Sequence, residues 1–187
     1  PRYAETDNVR WFEAKPCYVL HVVNCWEEGQ CVVMIGCRQS NPGGNRDPED
    51  GPLASQLAER RRTHQLYEWR FDLMTGLTQE RALNDLNLEF PTINNRYLGI
   101  PSRFSYLQLL PEPPKGEGVE GRCQTFDALV KYDFETNEYQ RYDYGEGVSG
   151  SESCFAPRSG VCGELAEDDG YVITYTHSRN DWISRCL

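Results

Sequence analysis

The chain has 187 residues, enough for one ordinary domain or part of a larger one, and is 39% apolar, 26% charged and 12% aromatic. That aromatic content excludes a wholly disordered chain, and no apolar run approaches the roughly 20 residues needed to cross a bilayer. A net charge of −10, from 29 acidic and 19 basic residues, leaves no concentrated basic surface for a phosphate backbone, so nucleic acid is not an expected partner.

The chain opens at Pro1 with no signal or transit pattern, and its last residues, Asp181 to Leu187, read as the lead into a strand. An interior piece of a longer protein is therefore expected. Cys17 to Val23 is a strand-sized apolar run with His21 near its middle. A polar turn, Glu27-Glu28-Gly29-Gln30, and a second run, Cys31 to Cys37, complete a hairpin pattern. Ser40 to Pro52 is too rich in Pro and Gly to be regular. Leu53 to His64 carries the one helical pattern, a short helix whose Arg60-Arg61-Arg62 run reads as a solvated face, with His64 exposed behind it. Leu66 to Leu73 returns to strand. Short aromatic or β-branched strand signals then alternate with turn residues along the chain.

Arg70-Phe71-Asp72-Leu73-Met74-Thr75-Gly76 recurs 61 residues later as Lys131-Tyr132-Asp133-Phe134-Glu135-Thr136-Asn137. In each copy the Asp can accept bonds from turn amides, and Gly or Asn tolerates the left-handed conformation of a hairpin turn. Two unrelated turns of common composition would explain this blandly. A turn motif repeating among many short strands instead suggests the blades of a β-propeller.

Eight cysteines, at 17, 25, 31, 37, 123, 154, 162 and 186, contain no CxxC pair, so neither a zinc ribbon nor a thioredoxin-type site is supported. Cys17, Cys31 and Cys37 lie in strand-like runs, where a thiol acts as a small hydrophobe. We read the cysteines as reduced and the chain as intracellular. Of the three histidines, His177 follows a strand, and His21 alone occupies the middle of an apolar strand. A buried neutral histidine with one satisfied hydrogen bond explains His21; a metal ligand is the other reading. Gly145-Glu-Gly-Val-Ser-Gly150 opens no helix, so no phosphate loop is present. By spacing alone, Glu89 and Glu152 are solvated strand-edge residues, and Glu167-Asp168-Asp169-Gly170 is an acidic turn.

Read together, the runs His21-Val-Val-Asn24-Cys-Trp26-Glu27-Glu28, Leu66-Tyr-Glu-Trp-Arg70, Thr75-Gly76, Glu89-Phe-Pro-Thr-Ile93-Asn94, Lys131-Tyr-Asp133, Gly150-Ser-Glu152, Phe155-Ala-Pro157-Arg158 and Glu167-Asp-Asp-Gly-Tyr171 occur in this order. Together they resemble the carotenoid cleavage oxygenase family, most of all its plant members, with the zaxinone-synthase-like branch as one candidate. The resemblance implies an all-β fold, several blades of a seven-bladed β-propeller without a separate second domain, and a short helix in an inter-strand insertion. It further implies a non-haem Fe(II) on the propeller axis, held by four histidines that glutamates orient. On these motifs His21 resembles the third iron ligand, Glu89 the glutamate that orients it, and Glu152 the glutamate that orients the last ligand. A ligating imidazole that donates its other N–H to a carboxylate has its tautomer and direction fixed.

The other three iron ligands have no counterpart here. His177 matches the family's surface His-Asp hairpin, with Ser178 in place of the Asp. The expected parent activity is cleavage of a carotenoid or apocarotenoid C=C bond with O2, giving two carbonyl products. Its partners would be an apolar polyene and O2, in a plastid or alternatively the cytoplasm, with any membrane contact peripheral. With one ligand of four, these residues alone are expected to be inactive. The rival expectation is a noncatalytic propeller fragment acting as a binding module.

Overall fold

Two apolar runs joined at Gly29, whose φ of 61° closes a tight turn, form the first hairpin, β1 (Tyr18–Glu28) and β2 (Cys31–Gln39). The computed structural model describes residues 9–40, 51–52, 54–55, 58, 62–111, 125–159 and 165–187. β3 (His64–Asp72) and β4 (Thr78–Ala82) extend the hairpin to an antiparallel sheet ordered β1-β2-β3-β4. A second sheet, β5-β6-β7-β8, is built from β5 (Leu88–Thr92), β6 (Phe104–Leu109), β7 (Ala128–Asp133) and β8 (Glu138–Asp143), with one 3-10 turn at Asn95–Tyr97. The third, ordered β11-β10-β9, comprises β9 (Val148–Pro157), β10 (Gly170–Ser178) and β11 (Ser184–Cys186). Antiparallel sheets that follow one another along the chain, each beginning at an edge, are propeller blades. The expected partial propeller is the fold.

The core between the first two sheets sets Ile35, Cys37 and Leu66 against Leu107, Leu109 and Val130. Each large apolar side chain buried there contributes about 1.5–3 kcal/mol. On β10 the pattern is inverted: Thr174, Thr176 and Ser178 are buried while Tyr171, Ile173 and Tyr175 face outward.

Both copies of the repeated motif make the same turn. Asp72 Oδ1 accepts the amides of Met74 and Thr75 at 2.7 and 2.9 Å, and Asp133 Oδ1 accepts those of Glu135 and Thr136 at 2.9 and 3.4 Å. Gly76 and Asn137 then take φ of 75° and 57°. The two turns join the third and fourth strands of successive sheets.

The expectations for His64 and for the helix before it need correction, as does the solvated position expected of Glu89, which is 1% exposed. His64 is not exposed: it opens β3 at 4% exposure, because the strand begins earlier than Leu66 and its first residue faces inward. The helical pattern therefore stops short of it: residues 54, 55 and 58 are helical and 62–63 are not, while 53, 56–57 and 59–61, like the loop over 41–50, lie outside the described residues.

The acidic turn is more than a solvated turn, since it clasps the third sheet to the second. Glu167 accepts the amides of Arg103 and Phe104 at 2.9 and 2.8 Å, and its carbonyl accepts the side chain of Asn94 at 2.8 Å. Lys131 of the second sheet meets Asp168 at 2.5 Å, while Arg158 meets Asp169 at 2.7 Å within the third sheet. The Lys131 ammonium holds the Asp168 carboxyl below its ordinary range. A carboxyl so depressed contributes stability above its unfolded pKa, near 3.9, and loses it as pH falls through the lower native value. The Lys131→Met variant should thus melt slightly below the parent at pH 6, by no more than about 1 kcal/mol of stability for so accessible a pair. The gap should narrow as pH falls below the ordinary carboxylate range. A gap unchanged by that fall in pH would count against the ion pair.

Candidate functional site

β1, β5 and β9 are edge strands, each the first strand of its sheet, and β5 touches both of the others. His21, Glu89 and Glu152 fall one on each. The pairing of β1 with β2 shifts register between Val19 and Val22 and again between Val22 and Asn24, so His21 lies within one bulge and just before a second, and its ring meets the second sheet. The close approach this requires is open because residue 36 is glycine. A Cβ there would lie 3.2 Å from the His21 carbonyl oxygen and 3.2 Å from Val19 Cγ1.

Across the sheet boundary, Nδ1 of His21 lies 2.6 Å from Oε2 of Glu89, a residue 68 positions away. The expected contact between the two is present. The same oxygen accepts the Phe90 amide at 2.7 Å. The glutamate side chain is 1% exposed and the imidazole 43% exposed. With Nδ1–H donating to the carboxylate, the ring's lone pair sits on Nε2, which makes no hydrogen bond among the described residues.

Glu89 owes its aim to a bulge in β5. Glu89 pairs with Gln108 and Thr92 with Tyr106, so three steps on β5 match two on β6. Phe90 absorbs the difference at φ 51°.

Three residues beyond His21, Asn24 is buried and joins the two sheets beside the pair. Its Nδ2 donates to the carbonyls of Tyr97 and Ile100 at 3.0 and 2.8 Å and to Ser102 Oγ at 3.2 Å. Its Oδ1 accepts the amides of Cys25 and Gly99 at 2.9 and 3.1 Å. Sequence reasoning placed Asn24 in a motif without a role. A polar residue directly after an apolar strand segment was the available signal.

Glu152 is exposed on β9, and its side chain makes no hydrogen bond among the described residues, so it is not bonded to the His21–Glu89 pair. The glycine of its Gly-Ser-Glu run has a steric cause, because a Cβ at Gly150 would lie 2.1 Å from the Tyr144 ring. His177 is in the hairpin of β10 and β11, with Nδ1 3.2 Å from Ser184 Oγ and its ring edge-on to Trp182. Burial, then the nearby Glu89 charge, pushes the Cys37 thiol well up, which leaves it a neutral packing residue.

Among the described residues, no group of three or more His, Cys, Asp or Glu side chains is placed to hold a metal ion. His21 nevertheless has the donor chemistry of one metal ligand: a ring oriented by a buried carboxylate, with its second nitrogen available. The described residues thus fit one corner of an imidazole-ligated site rather than a whole one.

A profile of the retinal pigment epithelial membrane protein (RPE65) family matches residues 1–187. The carotenoid 9,10(9',10')-cleavage dioxygenase of Crocus sativus is 35% identical over 185 residues, which cover 96% of this chain and 33% of that protein. The probable carotenoid cleavage dioxygenase 4, chloroplastic, of Arabidopsis thaliana is 31% identical over 191 residues, covering 100% of this chain and 29% of its own. Among solved structures, cobalt-substituted Synechocystis ACO aligns with a TM-score of 0.72 at 19% identity, over 91% of this chain and 33% of that one. At that identity the likeness bears on the fold alone. The chain spans about a third of the length of the curated relatives it matches.

Proposed function

Because the chain belongs to the retinal pigment epithelial membrane protein family, which takes in the carotenoid cleavage dioxygenases it matches, we propose that it is part of a non-haem Fe(II)-dependent dioxygenase. The reaction would cleave one C=C bond of a carotenoid or apocarotenoid with O2, one oxygen atom going to each of two carbonyl products. The observation that carries this reading is the 2.6 Å contact between His21 and Glu89, made across two sheets. Iron, when bound, would supply the activation of O2. His21 would hold it through Nε2, and Glu89 would keep the proton on Nδ1 and the ring in one direction. Glu152 would orient a histidine from outside this chain. Relatives named chloroplastic support a plastid parent. Among the described residues, no helix is long and apolar enough to cross a membrane.

The full chain, loaded anaerobically with Fe(II) and given a carotenoid with isotopically labelled O2, should yield two labelled carbonyl products, trapped by reduction before they exchange with water. His21→Ala should abolish iron retention and turnover together. Label in only one product, or undiminished turnover in the alanine variant, would overturn the assignment. The 187 residues alone should hold Fe(II) no better than a single imidazole and cleave nothing, for want of further ligands among the described residues. Stoichiometric iron surviving gel filtration of that chain would sink this expectation.

A further inference from the structure

Three non-glycine residues among those described have positive φ, and Asn137 and Trp182 sit in hairpin turns. Phe90 is the one inside a strand, at φ 51°. That conformation is uncommon for a bulky side chain, and it is disfavoured again by the proline that follows. The surroundings over-determine it: the Phe90 amide is held by Glu89 Oε2 at 2.7 Å, and its ring lies 4.8 Å from the His21 ring and 4.9 Å from that of Phe126. A single hydrogen bond from His21 to Glu89 sets a distance and a tautomer but leaves the imidazole free to turn about the bond. The His21 side chain is 43% exposed, and among the described residues its ring contact is with Phe90. The Phe90 ring supplies the missing constraint.

We propose that Phe90 is a positioning residue for His21. Its left-handed backbone turns the amide onto the glutamate while its ring closes one side of the imidazole, so that Nε2 keeps one direction. The consequence for metal binding rests on the reading of His21 as an iron ligand; the positioning itself belongs to the metal-free protein.

The test compares Phe90→Gly, Phe90→Leu and Phe90→Tyr in the full chain. Glycine accepts the positive φ and keeps the amide while removing the ring; leucine keeps bulk without an aromatic face, and serves if the glycine variant does not fold. In the metal-free protein, NMR should show the His21 ring protons losing their ring-current shift and the ring gaining motion in the Gly and Leu variants, with both restored in the Tyr variant. With Co(II) alone as probe, affinity should fall about tenfold in Phe90→Gly and recover in Phe90→Tyr. A His21 ring as ordered in the Gly and Leu variants as in the parent would overturn the proposal. If that ring loosens while His21→Ala leaves Co(II) binding unchanged, the positioning stands and the iron-ligand reading falls. If it stays ordered while His21→Ala abolishes binding, the reverse holds.

Discussion

Replacing Glu89 with leucine is expected to lower the Fe(II) affinity of the full chain by about 10–100-fold, the usual cost of losing a carboxylate behind a ligating imidazole. Leucine is similar in volume, so packing at this buried position is disturbed little. What disappears is the acceptor for two N–H groups, Nδ1 of His21 at 2.6 Å and the Phe90 amide at 2.7 Å. The imidazole can then protonate at either nitrogen, and any molecule with the proton on Nε2 presents no lone pair there. Glutamine should retain most of the affinity, since its carbonyl oxygen accepts the same bonds. Competition with a chelator measures the effect, with a melting curve alongside to exclude unfolding. A leucine variant that binds like the parent would remove Glu89 from the site. Equal losses for leucine and glutamine would assign its role to charge rather than to hydrogen bonding.

Asn24→Leu should have the largest effect on stability, a loss of about 3–4 kcal/mol. The amide makes four hydrogen bonds between β1 and the segment over 97–102 and a fifth to the neighbouring Cys25 amide, and it is 2% exposed. Leucine leaves the Tyr97 and Ile100 carbonyls and the Gly99 amide without that partner, at about 1–3 kcal/mol for each group that water cannot reach. Asn24→Asp should fare no better, because it keeps the two accepted bonds, loses the three donated ones and buries a charge. Urea unfolding of the full chain gives the magnitude. Hydrogen exchange at the Gly99 amide shows whether the loss begins at this junction. A change below about 1 kcal/mol, the net value of one ordinary hydrogen bond, would mean that other contacts join the two sheets here.

Local chemistry was legible in the sequence. The hairpin expected from two apolar runs around Gly29 is β1 and β2, and the strand expected over Leu66 to Leu73 is β3 within two residues at its start. The Asp-Thr-Gly and Asp-Thr-Asn turns were readable because donor and acceptor lie within four residues of each other. His64 was misjudged because a neighbouring arginine run suggests solvent, whereas burial depends on which face of β3 meets the second sheet.

By itself the sequence determined the all-β composition, the strand and turn order, the repeated turn, and through its ordered motifs the family. The tertiary structure alone decided that His21 and Glu89 meet, because a hydrogen bond spanning 68 residues depends on how two sheets pack and not on any local preference. It also decided the bulges in β1 and β5 and the left-handed Phe90, since a register shift is a relation between two strands and cannot be read from either one. The same holds for Asn24 and Glu167. Their side chains would be ordinary polar groups in a lone strand or turn, and they become junctions only where a second sheet presents backbone groups with unmet hydrogen bonds.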